Sequence, residues 1–405
     1  MSVSRLLSII SLLGGAMHFL PAYGLDYPVE CSGAAVDADI DAAIEQTPSG
    51  PVRLVLSSGT CLIEATHQLN GAITLDVVGA GMTSTIVKGQ GVAIPMFLVG
   101  QMAGGVAFGL HSLTLQNAPL SAITLSNSAL RVDSVQFSDN KAATVIVADF
   151  SSVEISNSRF EGNAGQGGTI MMGGGPWGHL TVTDTAFVGN AADYNGGAIN
   201  ANVPVDLDRV LFVGNTANNG YGGAIYMAET GLSIRNSTFS GNSAMYGGAI
   251  ADNANYESPG TTLRNVTLHG DVGSSSGSEI YLGGSSPPPI SIFNTLVGGT
   301  CAGPAIAASA HGSVESPGDT CGISGAGNQV DVTEEDLHLG ALADNGGATL
   351  TLYPNLGSVL IDAASTDCEG VDQRDLVRNV GGCDVGAVEA GTTLADNIFA
   401  DVFGD

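Results

Sequence analysis

Basic residues are almost missing from this sequence. Lysine occurs only at Lys88 and Lys141, and Lys and Arg together number 11 against 39 Asp and Glu, for a net charge of −28. Nucleic acid needs a basic footprint, so that partner class is excluded, and an anionic membrane surface is disfavoured on the same ground. The plain consequence of the charge is solubility, with divalent cations as diffuse counterions. Past the N-terminus no long apolar run occurs, so no membrane span is expected in the mature chain. His67, His111, His179, His269, His311 and His338 are scattered without metal-ligand spacing. No Gly-x-Ser-x-Gly elbow is present, and the Gly-Gly-Ala-Ile segments lead into strands, unlike a phosphate loop that opens a helix. No cofactor and no metal are expected.

Glycine, in contrast, is abundant, with 58 residues, and hydrophobic residues make up 44 %, enough to bury a core. From Phe108 to Gly299 one phrase repeats. Its large apolar anchors are Leu115, Phe137, Phe160, Phe187, Phe212, Phe239, Leu268 and Val297. Three residues after the anchor stand Asn140, Asn163, Asn190, Asn215 and Asn242, then Asp271. Five and seven residues before it the chain is aliphatic, as at Val153/Ile155 and Leu232/Ile234. A second landmark follows each anchor: Gly196-Gly197-Ala198-Ile199, Gly222-Gly223-Ala224-Ile225 and Gly247-Gly248-Ala249-Ile250, with Gly277-Ser278-Glu279-Ile280 as a frayed copy.

A period in this range marks a solenoid. Each unit alternates over short stretches, which reads as short strands, and few stretches hold helical spacing. The consistent architecture is an all-β parallel β-helix, one coil per unit, with Ile199, Ile225 and Ile250 stacked inward. The asparagines should then form a ladder whose amides hydrogen-bond along the stack.

The ends differ from the repeats. Residues 1–24 read as a secretory signal peptide, with Arg5, an apolar stretch from Leu6 to Leu20, and Ala22-Tyr23-Gly24 before the cut. An uncleaved anchor is the alternative, for which the apolar stretch is short. Residues 25–60 are expected to cap the solenoid, with a short amphipathic helix around Val36–Ile44, and 61–107 to form early coils. Regular repeats fill 108–300, broken by Ser285-Ser-Pro-Pro-Pro289, with the last recognisable coil starting at Ile290. A loop-rich 301–338 ends the β-helix region of 25–338. A closing segment covers 339–389 and an acidic tail 390–405. The six cysteines avoid the repeats and allow 15 connectivities. Neighbour pairing, Cys31 with Cys61, Cys301 with Cys321 and Cys368 with Cys383, is favoured, since a metal site needs tighter clustering.

The Phe-x-x-Asn and Gly-Gly-Ala-Ile phrases over about 108–300 resemble polymorphic outer-membrane protein repeats and the wider pectin-lyase-like β-helix group. Leu339–Thr349, Ile361-Asp362-Ala363, Asp372-Gln373-Arg374 and Gly382-Cys383-Asp384-Val-Gly386-Ala-Val-Glu389 resemble the C-terminal region of choice-of-anchor Q proteins. The chain departs from that pattern at Asp375, where those proteins carry Gly, so a different turn is expected there. Asp396–Asp405 resembles a short tail on exported proteins of Gram-negative bacteria. The resemblance implies a right-handed β-helix, secreted or displayed at the cell surface, with adhesion-type roles and no single reaction.

Two classes of function stay open. A polysaccharide lyase needs a base and a cation for the sugar acid; Arg235 and Arg264 share one column with Asp133 and Asp208, which a ladder of opposite charges explains as well. A glycosidase needs paired carboxylates about 5–9 Å apart, for which Asp206 and Asp208 have the spacing. The other class is a non-catalytic exported scaffold with an adhesion or glycan-binding role. Its candidate face is the column before the Gly pair: Gln166, Asn195, Tyr221 and Tyr246, with Tyr194 one step earlier. Aromatic rings beside amides suit a polysaccharide or a host or cell-surface glycan; the alternative is an aromatic stack that shields the turn.

Overall fold

The structure, a computed structural model, describes residues 24–91, 94–100, 105–253, 258–284, 290–303, 308–365, 367–379 and 382–391. The expected signal peptide (save Gly24), the Ser285–Pro289 break and the tail beyond 391 lie outside the described residues.

Each repeat makes one coil of a parallel β-solenoid, whose strands form sheets of 22, 10 and 5 strands. The coil that opens with Ser152–Ser156 shows the logic. Val153 and Ile155 point inward while their neighbours face out. Asn157 then takes a positive φ and turns the corner into Arg159–Glu161, where Phe160 enters the core. The same corner recurs at Asp184, Arg209, Asn236, Asn265 and Asn294, with φ between 45 and 55°. Asn and Asp tolerate this left-handed conformation better than most residues, and Arg209, like Ser112 and Ser134 earlier in the column, adopts it without being either. The first limb (Ser152–Ser156 and its stack) and the second limb (Arg159–Glu161 and its stack) belong to the 22-stranded sheet. Ile170–Gly173 and its stack form the 10-stranded sheet.

Stacking in register turns each repeated residue into a column. Phe137, Phe160, Phe187, Phe212 and Phe239 are fully buried, their ring centroids 4.7–5.0 Å apart and their planes within 12°. Ile199, Ile225 and Ile250 are partners in adjacent strands and are fully buried. The Gly pair serves two needs. Gly196, Gly222 and Gly247 have φ of 61–66°. Gly197, Gly223 and Gly248 leave no room for a Cβ, which would collide with the carbonyls of Gly223, Gly248 and Ser278 in the coil above.

Inside the turn, each asparagine bonds along the stack. Asn163 Nδ2 donates to Asn190 Oδ1, Asn190 to Asn215 and Asn215 to Asn242, each at 2.9 Å. Asn140 Nδ2 donates to Asn163 Oδ1 at 3.0 Å, and the run ends at Asp271. Each Nδ2 also donates back to an anchor carbonyl, as Asn215 does to Phe187 O at 3.0 Å, and each backbone N–H meets the next Oδ1.

The ends depart from the sequence-based expectation in two ways. The stack starts at Leu25, not after residue 60: Leu25–Val29 pairs with Val52–Leu56, and Ser32–Ala35 with Gly59–Ile63. Edge strands are half exposed, so the alternation that marks inner coils is absent there. The helix, Asp37–Gln46, therefore lies between the first two coils, with Ile40 and Ala43 buried. At the other end Ala308–His311 and Val314–Glu315 still stack, so one more coil exists within the stretch expected to be loop-rich.

The closing segment does not extend the stack. It runs back along the corner column. Ser365 N donates to Asn294 Oδ1, Glu369 N to Asn265 Oδ1, and Arg378 Nη2 to Asn236 Oδ1. Thr238 Oγ1 donates to Gln373 Oε1 at 2.6 Å, and Ala387 N to Thr267 Oγ1 at 2.9 Å. The motif residues Asp372, Arg374, Asp384 and Glu389 build a buried charge cluster. Arg374 donates to Asp372 through Nε and Nη2, and Arg378 lies 3.5 Å from Glu389. Asp375 takes φ 63°, a left-handed conformation that glycine adopts freely and that Asp tolerates. Disulfides join Cys31 to Cys61, Cys301 to Cys321 and Cys368 to Cys383, with Cα separations of 4.5, 4.9 and 6.7 Å.

Candidate functional site

Two outward surfaces carry chemistry. The first is the outer face of the first limb. Its columns bring Asp76, His111, Arg131, Asp133, Glu154, Asp184 and Arg209 around adjoining grooves, the larger of about 610 Å³. The charges there are matched by neighbours. Arg131 meets Glu154 at 2.7 Å, and Arg209 meets Asp184 at 2.7 Å and Asp208 at 3.0 Å. The Asp184 carboxylate, against the cost of burial, raises the Arg209 pKa. His111 Nε2 lies 3.5 Å from Asp76 Oδ1, in space that Gly109 leaves free.

The lyase and glycosidase candidates lie on this face. Asp133 accepts from Ser156 and Asn157, and Arg235 sits 3.9 Å from Asp208. Arg264 covers the Phe293 ring at 4.5 Å. Asp206 lies 3.2 Å from His179. Asp206 and Asp208 thus face different partners. Among the described residues no group of three or more His, Cys, Asp or Glu is placed to hold a metal ion.

The second surface is the edge where the turn meets the 10-stranded sheet. Tyr221 and Tyr246 stack at 4.8 Å with planes 18° apart. Two tyrosines not in the candidate column join them: Tyr226 lies 6.1 Å from Tyr221, and Tyr281 lies 5.7 Å from Tyr221 and 5.1 Å from Tyr246. All four are partly exposed. The signal for Tyr226 and Tyr281 was the strand alternation itself. Each follows an inward isoleucine, Ile225 or Ile280, and so faces out. Ala251 stands between them in the column and is fully buried, as a small residue beneath large rings would be. Burial, then the neighbouring phenols, raises the Tyr221 pKa.

The two amides fare differently. Asn195 is partly exposed, and its Oδ1 accepts from Tyr221 N in the next coil at 3.1 Å. The turn needs a backbone acceptor there more than the surface needs an amide. Gln166 is exposed and lines a groove of about 510 Å³ with Thr124, Thr144, Met171, Tyr194 and Asn200. Tyr194 is 61 % exposed. The groove belongs to the same edge, a few coils nearer the N-terminus than the four rings.

A family model described as right handed beta helix region matches residues 114–287. The solenoid is a right-handed parallel β-helix. No curated protein matches the sequence. Among solved structures the chain is similar to the mannuronan C-5 epimerase AlgE4 A-module of Azotobacter vinelandii, at 14 % identity over 76 % of this chain and 95 % of that one, with a TM-score of 0.43. It is also similar to pectate lyase Pel9A, at 15 % identity over 91 % and 97 %, TM-score 0.42. A PL6 alginate lyase in complex with trisaccharide matches at 11 % identity over 90 % and 96 %, TM-score 0.41. These neighbours are polysaccharide lyases and an epimerase; at such identities the likeness concerns the fold, and fold does not fix activity.

Proposed function

We propose that this chain is an exported, non-catalytic β-helix scaffold, displayed at the cell surface or released, that binds a neutral glycan along its tyrosine edge. The observation that carries the reading is the cluster of Tyr221, Tyr226, Tyr246 and Tyr281, four partly exposed rings on one edge. Exposed aromatic faces pack against the CH surfaces of sugars, while phenol hydroxyls bond sugar hydroxyls. The groove with Gln166, Tyr194 and Asn200 gives the edge further length for a chain of several sugars. A net charge of −28 favours an uncharged ligand over a polyuronate. Three disulfides suit an oxidising compartment. Among the described residues no helix is long and apolar enough to cross a membrane.

A carbohydrate-active enzyme is the second reading, favoured by the polar groove around His111 and Arg131. A glycan array with the purified mature chain, run beside assays for reducing ends and unsaturated sugars, separates the two. The scaffold reading expects binding to neutral glycans and no product. Product formation that is lost in His111→Ala would replace it with the enzyme reading.

A further inference from the structure

The asparagine ladder ends on a carboxylate, Asp271, and a second carboxylate, Glu279, lies against it. We infer that these two side chains form a buried acid pair that shares a proton, a proton-sensitive latch between the regular coils and the last ones.

The ladder's geometry demands it. Asn242 donates to Asp271 Oδ1 from its backbone N at 2.6 Å and from Nδ2 at 2.7 Å. In the coils below, the other atom of this side chain is an Nδ2 that donates to an anchor carbonyl. Asp271 has an oxygen, Oδ2, in its place, with no donor to accept from. Glu279 occupies the position of Ala198, Ala224 and Ala249, all fully buried. It is itself fully buried, and neither of its oxygens has a well-aligned donor; only the backbone N–H groups of Gly270 and Asp271 approach it. The backbone segments that carry the two acids meet beside Gly248, where Ser278 O and Val272 N crowd the place a Cβ would take; the carboxyls face each other there, and a hydrogen bond between them requires a proton on one. That proton supplies the donor that is missing from the site.

The alternative, two ionised carboxylates side by side away from water, is excluded by cost: an unpaired buried charge neutralises instead. Burial raises Asp271 to about 6, and burial together with the adjacent Asp271 raises Glu279 well above the usual carboxylate range. The titratable group that acts on Asp271 from outside the pair is His269, which lies 2.7 Å from Glu334 in the short helix Glu334–Leu337, ahead of the closing segment. The latch therefore sits where the regular coils meet the last turns. Both acids are raised in the folded state, so the folded chain holds more protons than the unfolded one above the ordinary carboxylate range. The pair's contribution is complete below that range. It is lost as pH rises through about 6 and on through the titration of Glu279.

Thermal melts of the full mature chain at about pH 5 and pH 8 test this, for the wild type, Asp271→Asn and Glu279→Gln. Each variant keeps the shape and removes the second acid. The wild type should lose Tm from the lower to the higher pH, and each variant should lose less than half as much. Parallel losses in all three would overturn the proposal. Where a variant does not fold, the wild type still decides: infrared spectra at neutral pH should show a protonated carboxyl band that is resistant to exchange, and its absence overturns the shared proton. Calcium chloride added at pH 8 separates a proton from a metal. A rise in wild-type Tm that Glu279→Gln lacks would assign the site to a cation and reject the latch.

Discussion

Asn215 and Asp372 are both sealed from water, and they are satisfied in opposite ways. Asn215 is neutral, and its partners are copies of itself: Asn190 donates to it and it donates to Asn242. Asp372 is charged, and its partners occur once: the Arg374 guanidinium and the backbone amides of Arg374, Leu376 and Glu389. A ladder spreads polar burial over equal steps, so the loss of one rung strands only its neighbour and leaves the rest paired. A single-copy charge cluster has no such redundancy, because removing one partner strands the rest. The closing segment is thus held in its own shape by few, costly contacts, and the solenoid by many cheap ones.

This contrast can be broken at four places. The largest effect is expected at Arg374. Arg374→Ala leaves Asp372 buried and unpaired, at a cost of about 3–5 kcal/mol. Limited proteolysis should then cut within 339–391 while the coils stay resistant; simultaneous loss of both regions would show that they are not separable. Phe212→Ala should cost a similar 3–5 kcal/mol, but in the coils, where it opens a cavity in the phenylalanine stack. Denaturant melts should show it as an unfolding of the solenoid.

Asn215→Ala should cost about 1–3 kcal/mol, since it leaves the Asn190 amide groups without their acceptor in a dry turn. Asn140→Ala should cost less, because the donor from the coil below is only the backbone N–H of Ala118. Equal and negligible losses would mean that the ladder contributes nothing. The smallest effect belongs to Arg131→Ala. Its ion pair with Glu154 is about half exposed, so melts should move by about 0.2–1 kcal/mol, less at high salt.

The same contrast explains what could be read in the sequence. The phenylalanines, asparagines and glycine pairs recur at one place in each unit, and stacking converts recurrence directly into position. Tyr226 and Tyr281 obey the same rule, one residue after an inward isoleucine, but they recur in only two coils and so escape a search for columns. Glu279 stood visible as a flaw in the fourth Gly-Gly-Ala-Ile phrase, without any sign that Asp271 would meet it. The route of the closing segment was not legible at all. Its partners, Asn236, Asn265 and Asn294, are more than 70 residues away, and their corner role gives no hint of a second one. The first coil was hidden for a different reason: an edge strand with few buried residues need not alternate.

The most direct test of the glycan reading is a titration of the best neutral glycan from the array into the wild type and into a Tyr226→Ala/Tyr281→Ala double variant. Both substitutions lie on the outer face, so matching melts can establish that the coils are intact. The account predicts saturable binding by the wild type and at least a tenfold weaker Kd in the variant, about 1.4 kcal/mol. Undiminished binding by the variant, or binding confined to acidic glycans, would contradict it.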